Sequence, residues 1–203
     1  PHFEQHDAGA LRALMHAHPL ATWVMHDGAD LVVNHVPFFL DATPGEHGTL
    51  VGHVARANPV WQRVARSVFV FHGAQAYVSP SWYPSKQAHG KVVPTWNYAV
   101  VHAHGTPRVV DERARLLDIV TQLTALHEAG QALPWQVGDA PADFIEQMLG
   151  AIVGIEVPID RIVGKCKASQ NRGSADRQGV AAGLRPRGGD AALAMAALVG
   201  GEA

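Results

Sequence analysis

Hydrophobic positions in this chain change period several times. Leu11, Leu14 and Met15 recur at helical spacing behind Asp7, a residue suited to capping a helix start, and Pro19 stops the run. The period then shortens to that of strands. Residues 20–25 end at Asp27-Gly28, a tight-turn pair, and 31–40 resume as an extended run, which predicts a hairpin. Residues 49–54 predict a third strand, 55–66 a partly helical stretch carrying Val60, Trp61 and Val64, and 67–71 a buried fourth strand. A further extended piece over 75–79 and a long strand over 96–110 follow. Short strands at close intervals, hairpin signals and no crossover helices predict an antiparallel sheet closing into a small barrel.

The second half turns helical. Asp111 is placed to cap a helix over 112–128, with Leu116, Leu117, Val120, Leu123 and Leu126 as its apolar stripe and Gly130 just beyond its end. Asp139 with Pro141 starts a shorter helix carrying Phe144, Ile145, Met148 and Leu149, after which 151–167 return to strand and extend the sheet. The small-residue tail from Gly173 predicts helices over 176–184 and 191–199, separated by Arg185-Pro-Arg-Gly-Gly189, and is suited to packing on a partner subunit. The expected organisation is a domain over 1–170 with inserted helices and a C-terminal helical extension over 171–203.

A length of 203 residues fits one substantial core with an appendage. Charged residues make up 17% and the formal charge is −2, so total charge attracts neither nucleic acid nor an anionic membrane, and any DNA contact must come from a local patch. The single cysteine, Cys166, excludes an internal disulfide and points to a reducing cytoplasm. No secretory signal is visible, and no apolar run approaches the roughly 20 residues needed to cross a bilayer, so no membrane partner is expected.

The most distinctive segment is Ala76-Tyr-Val-Ser-Pro-Ser-Trp-Tyr-Pro-Ser-Lys86, followed by Lys91-Val-Val-Pro-Thr-Trp-Asn-Tyr98. Flat aromatic faces among hydroxyls and ammonium groups suit a planar, polar-edged anion, because rings stack on rings while the donors hold oxygens. Flavin mononucleotide (FMN) fits that description. The alternative is an aromatic-anchored connection in which Pro80, Pro84 and Pro94 simply fix backbone angles. Gly52-His-Val-Ala-Arg-Ala-Asn-Pro-Val-Trp61 places Arg56, Asn58 and Trp61 where a strand gives way to a helical turn, a setting for a phosphate. Equally, Arg56 could pair with a carboxylate and Trp61 belong to the core. Lys165-Cys-Lys-Ala-Ser-Gln-Asn-Arg172 offers a second anion contact or a solvated strand end.

Other chemistries find less support. His102 and His104 share a strand face, but no carboxylate or cysteine stands at ligand spacing and no H-E-x-x-H occurs, so no metal is expected. Serines 79, 81 and 85 are flanked by prolines and lack a Gly-x-Ser-x-Gly elbow. Cys166 lies between two lysines that face the opposite way in a strand, which turns its thiol toward the core. No zinc-finger spacing, basic zipper or helix-turn-helix is present.

The motifs His18-Pro-Leu-Ala-Thr22, Asn34-His-Val-Pro-Phe38, Gly52-His-Val-Ala-Arg-Ala-Asn-Pro59, Ala76-Tyr-Val-Ser-Pro-Ser-Trp-Tyr83, Val93-Pro-Thr-Trp-Asn-Tyr98 and Gly164-Lys-Cys-Lys-Ala-Ser-Gln-Asn171 resemble, in order, those of the PaiB family of FMN-binding negative transcriptional regulators. The resemblance runs from Phe3 to about Leu184. The chain lacks the family's usual opening methionine and tyrosine, has Ala74 where proline is commoner, and has Cys166 where alanine is common. The resemblance implies an α+β, mainly antiparallel split β-barrel of the FMN-binding type, related to pyridoxamine-phosphate oxidases and homodimeric, with flavin at the subunit boundary. It places Asn34, His53, Arg56 and Asn58 near the phosphate, and the residue pattern adds Trp61 as a cofactor-binding candidate. Ser79, Ser81, Trp82, Tyr83, Thr95, Trp96 and Asn97 would lie beside the ring or the partner chain. The expected function is negative regulation of transcription in the cytoplasm, with DNA or a regulatory protein as partner and no catalytic residue assigned. The alternatives are an FMN-dependent oxidoreductase acting on a small substrate and a flavin-free interaction module.

Overall fold

The computed structural model describes residues 2–43 and 45–201. Among them are eight strands, β1 (Glu4–Gln5), β2 (Leu20–His26), β3 (Leu31–Asp41), β4 (Thr49–Ala55), β5 (Ser67–Val78), β6 (Thr95–Gly105), β7 (Arg108–Val110) and β8 (Ile152–Lys167). Six helices accompany them: α1 (Ala8–Ala17), α2 (Ser85–His89), α3 (Arg113–Glu128), α4 (Ala142–Gly150), α5 (Ser174–Leu184) and α6 (Asp190–Gly200). The strand order is β1-β8-β4-β3-β2-β5-β6, with β7 on β8, and β8 pairs with β6 as well, so the path returns on itself. The β1–β8, β2–β3, β2–β5, β3–β4, β4–β8 and β7–β8 ladders are antiparallel. The α+β, mainly antiparallel architecture expected from the periodicity is therefore present.

The chain divides into two compact units. One comprises Met15–Phe71 and His102–Ile162; the other comprises Pro1–Leu14, His72–Val101 and Val163–Ala203. In the first, the β2–β3 hairpin turns at Asp27, whose carboxylate accepts from the Ala29 and Asp30 amides at 2.9 Å. Gly28 takes a φ of 100°, a left-handed value that favours glycine. The core here is aromatic: Phe69 stacks on Trp23 with centroids 5.4 Å apart and receives Phe38 edge-on at 5.2 Å. The buried Trp23 indole donates to Ser67 Oγ at 2.9 Å, so its polar atom is satisfied. Helix α3 lays Leu116, Ile119 and Leu123 inward, the last two against Val51.

In the second unit, the inward residues of β5, Ala74, Ala76 and Val78, share a core with Val180 and Leu184 of α5 and Met195 and Val199 of α6. The tail that looked suited to a partner subunit thus covers a sheet face of its own chain. Asp176 in the first turn of α5 accepts from the Ser85 amide at 3.1 Å and from Ser85 Oγ at 2.7 Å, fixing the start of α2. Gly179 and Gly183, four residues apart on one face of α5, let Trp82 approach the helix.

Three local expectations are corrected. Glu112, not Asp111, caps α3, accepting from the Ala114 and Arg115 amides at 3.0 and 2.8 Å. Asp139 closes a 3-10 turn by accepting from the Gln136 amide at 2.8 Å, and α4 starts behind Pro141 instead. The expected strand over 96–110 is two strands, interrupted at Thr106-Pro107, where proline offers no N–H to a ladder.

Candidate functional site

In the first unit, β4 runs into a 3-10 turn, Pro59–Arg63, and four expected site residues meet around that junction. Asn58 donates from Nδ2 to Asn34 Oδ1 at 2.7 Å, and its own Oδ1 accepts from the Val60 amide at 3.0 Å. The turn's first free amide, where an anion was expected, is thus capped by the Asn58 side chain. Arg56 pairs with Asp111 and also donates to the carbonyls of Gly150 and Ile152, each at 2.9 Å. Its hydrogen bond holds the Asp111 carboxyl below the ordinary value. Trp61 lies 5.9 Å from the Arg56 guanidinium and donates from Nε1 to the Arg56 carbonyl at 3.0 Å.

With these partners Arg56 ties the end of β4 to the start of β8, a positioning role. Arg56→Ala is therefore expected to lower the melting temperature while shifting FMN affinity by no more than about twofold, under 0.5 kcal/mol. Thermal melts alongside flavin titration check this.

His53 points elsewhere. It lines a cavity of about 410 Å³ with apolar residues of α3 and α4. Its Nδ1 is buried and has no partner among the described residues. Burial holds the imidazole below its ordinary value of 6.5, so the folded chain keeps it neutral where the unfolded chain takes a proton. Stability then falls as pH drops below that value, and the slope ends once the folded-state value is passed. Across pH 7.5 to 5, roughly the histidine range, His53→Phe is expected to lose less melting temperature than the wild type. Equal slopes would contradict this.

In the second unit, Ser79 Oγ accepts from the Ser81 amide at 3.2 Å and caps a short 3-10 turn, Pro80–Trp82. Lys86 Nζ donates to Ser81 Oγ at 3.3 Å. Trp82 packs on α5 with the Arg187 guanidinium 5.9 Å from its ring, and the buried Tyr83 lies 4.9 Å from Arg172. Asn97 is fully buried, donating to Ser169 Oγ at 2.9 Å, while its Oδ1 lacks a partner among the described residues.

Thr95 and Trp96 differ from these packed residues. Trp96 is 56% exposed, with Tyr77 edge-on at 6.1 Å. Lys167 Nζ donates to Thr95 Oγ1 and sits 5.8 Å from the Phe3 ring, while Lys165 Nζ sits 5.7 Å from Tyr98. Neither lysine has a carboxylate partner among the described residues. Two uncompensated ammonium groups, a hydroxyl and an open indole face are the donor set that a phosphate-bearing, planar cofactor requires, so these residues fit FMN. Cys166 between the two lysines is half-buried against the α5–α6 core, and burial pushes its thiol up, away from a reactive thiolate.

Three features escaped the sequence. Arg161 Nη2 lies 3.1 Å from the His104 ring nitrogens, Arg66 pairs with Asp160, and Arg115 bridges Asp118 and Glu156. Only the i, i+3 spacing of Arg115 and Asp118 could have been read in advance.

Known proteins resemble this chain in sequence and in fold. A family described as "Putative FMN-binding domain" matches residues 1–161. The protein AN0679 of Emericella nidulans is 34% identical over 200 residues, covering 82% of this chain and 80% of that protein. Protease synthase and sporulation protein PAI 2 of Bacillus subtilis is 31% identical over 173 residues, covering 83% and 79%. Among solved structures, the flavocytochrome Anf3 of Azotobacter vinelandii superimposes with a TM-score of 0.60 at 14% identity, over 81% of this chain and 69% of its own. An FAD and heme binding protein of Mycobacterium smegmatis gives 0.53 at 16%, over 81% and 73%. These likenesses identify the fold as the split barrel of flavin-binding proteins.

Proposed function

The chain belongs to the PaiB-type family of FMN-binding proteins and FMN is its cofactor, and from that premise we propose a negative regulator of transcription, homodimeric and cytoplasmic, whose state follows flavin occupancy. The observation that carries the flavin half of this reading is the pair Lys165 and Lys167, without carboxylate partners among the described residues, the second donating to Thr95, whose neighbour in sequence, Trp96, has an open face. The lysines and Thr95 hold the phosphate, and Trp96 offers a face to the ring. Bound FMN supplies a redox-active isoalloxazine. The 79–83 turn is a further contact by motif position. We take residues 1–170 as the FMN-binding domain and 171–203 as its helical extension.

The regulatory half rests on the likeness to PAI 2, whose name ties that protein to protease synthase and sporulation. Homodimerisation is supported by apolar side chains on the outward face of the β2–β3 hairpin, where Leu20, Leu31 and Val33 lie exposed. No helix among the described residues is long and apolar enough to cross a membrane. With a formal charge of −2, a regulatory protein is a partner as natural as operator DNA.

The test begins with an absorbance spectrum of purified protein near the flavin bands and an FMN titration. Lys167→Ala is expected to weaken FMN binding about tenfold or more, as loss of a charge-assisted hydrogen bond does. Unchanged affinity would remove the phosphate assignment. Gel shifts with promoter fragments at physiological salt, with and without FMN, address DNA directly. The second reading, an FMN-dependent oxidoreductase, is favoured by the redox-active cofactor itself. Robust oxidation of NADH or NADPH by the loaded protein would establish it.

A further inference from the structure

Between α3, α4 and the segment joining them lie two hollows, of about 680 and 410 Å³, that share Thr124, Trp135, Val137 and Ile145 in their walls. Both fall within the range of small-molecule sites. The smaller one has no Asp, Glu, Lys or Arg in its lining, and besides the Trp135 indole its only polar side chains are His53 and Thr124. Its outer wall stays open to solvent: Trp135 is 47% exposed, Phe144 50% and Met148 43%. Large apolar side chains usually lie inside a fold, yet Phe144 and Met148 of α4 stand in this open wall.

Charge argues against a phosphorylated cofactor here. Without a cation in the lining, a phosphate would lose its hydration with nothing to replace it. An uncharged, flat, mainly apolar molecule loses nothing comparable and covers the aromatic and thioether surface. The His53 imidazole lines the cavity, while its unpartnered Nδ1 is closed off from solvent and so from anything seated there.

We propose that this α3–α4 cavity is a binding site, separate from the flavin phosphate site, for a neutral, largely apolar small molecule. This gives the protein an input other than flavin, and the site does not depend on the regulatory reading above.

N-phenyl-1-naphthylamine is a suitable probe, being neutral and aromatic. Added to the FMN-loaded full chain, it is expected to give a saturable rise in fluorescence. Ala140→Trp, which fills the cavity without charge, and Met148→Glu, which puts an unpaired charge in its wall, are each expected to weaken uptake by about tenfold or more. Both are expected to keep the flavin absorbance of the wild type, and Met148 is exposed enough for its variant to fold. Absence of a saturable signal in the wild type overturns the proposal, as does unaltered uptake in both variants. Displacement of the probe by FMN, mole for mole, would make the cavity the flavin site and equally overturn it. So would uptake that vanishes as protein concentration rises while Met148→Glu sediments as a smaller species, because a second copy would then be the occupant. Failure of flavin loading would strike the proposed function and leave the probe result standing.

Discussion

Truncating Phe69 to alanine is expected to lower stability by about 3–5 kcal/mol, the usual range for removing a buried phenyl ring. In a chain of 203 residues that corresponds to a melting temperature lower by roughly 6–20 °C, taking about 2–4 °C per kcal/mol. Phe69 is fully buried on β5, stacked on Trp23 and met edge-on by Phe38, so its loss leaves two further rings without a neighbour. Collapse into the vacated space is resisted because Trp23 is held by its bond to Ser67 and Ser67 in turn donates to the Ala65 carbonyl at 2.7 Å. Phe69→Leu, which keeps more of the volume, should recover a large part of the loss. Denaturant melts of the three proteins measure it, and a shift below about 1 kcal/mol for the alanine variant would contradict a packed aromatic centre.

Gly179→Ala should do comparable damage by the opposite route. A methyl group there would stand 2.0 Å from the Trp82 carbonyl oxygen, a backbone atom that cannot swing aside. Four residues on, a methyl at Gly183 would stand 2.4 Å from the Trp82 indole. Overpacking of this kind costs about 1–3 kcal/mol or more. The helix propensity of alanine returns only about 1 kcal/mol of that. Helix α5 must therefore move off Trp82, which exposes the core it shares with α6 and the inner face of β5. Trp82 fluorescence is expected to shift to the red and the melting temperature to fall. Gly183→Ala should behave similarly but less severely, since a side chain yields more readily than backbone.

Much of the architecture could be read from local pattern alone. The Asp7 cap and the Asp27-Gly28 hairpin were legible because each depends on residues within a few positions of it. The Asp111 cap failed for a long-range reason: Arg56, 55 residues away, claims that carboxylate, and Glu112 takes over the amides. Arg56 itself was ambiguous in the sequence, which held both a phosphate and a carboxylate open as partners. Only the fold brings Asp111 and the Gly150 and Ile152 carbonyls to it. In sequence, the 76–98 segment likewise leaves a flavin-binding surface and an aromatic-anchored connection equally open. The structure sorts it into packing residues, Trp82, Tyr83 and Asn97, a half-buried Thr95 held by Lys167, and an open Trp96. Period alone could not make that distinction, because burial of a loop depends on what later segments bring to it. For α4 the apolar spacing was right, but it does not reveal that the wall opposite Phe144 and Met148 is missing.

Strands β5, β6 and β8 each begin in one compact unit and end in the other, and the second unit is assembled from three separate stretches of chain. A single cut in the polypeptide therefore cannot release either unit whole. Fragments chosen by trimming from one end would carry half-strands with bare backbone edges, inviting aggregation. Grafting either unit onto another scaffold would mean transplanting interrupted pieces of sequence together.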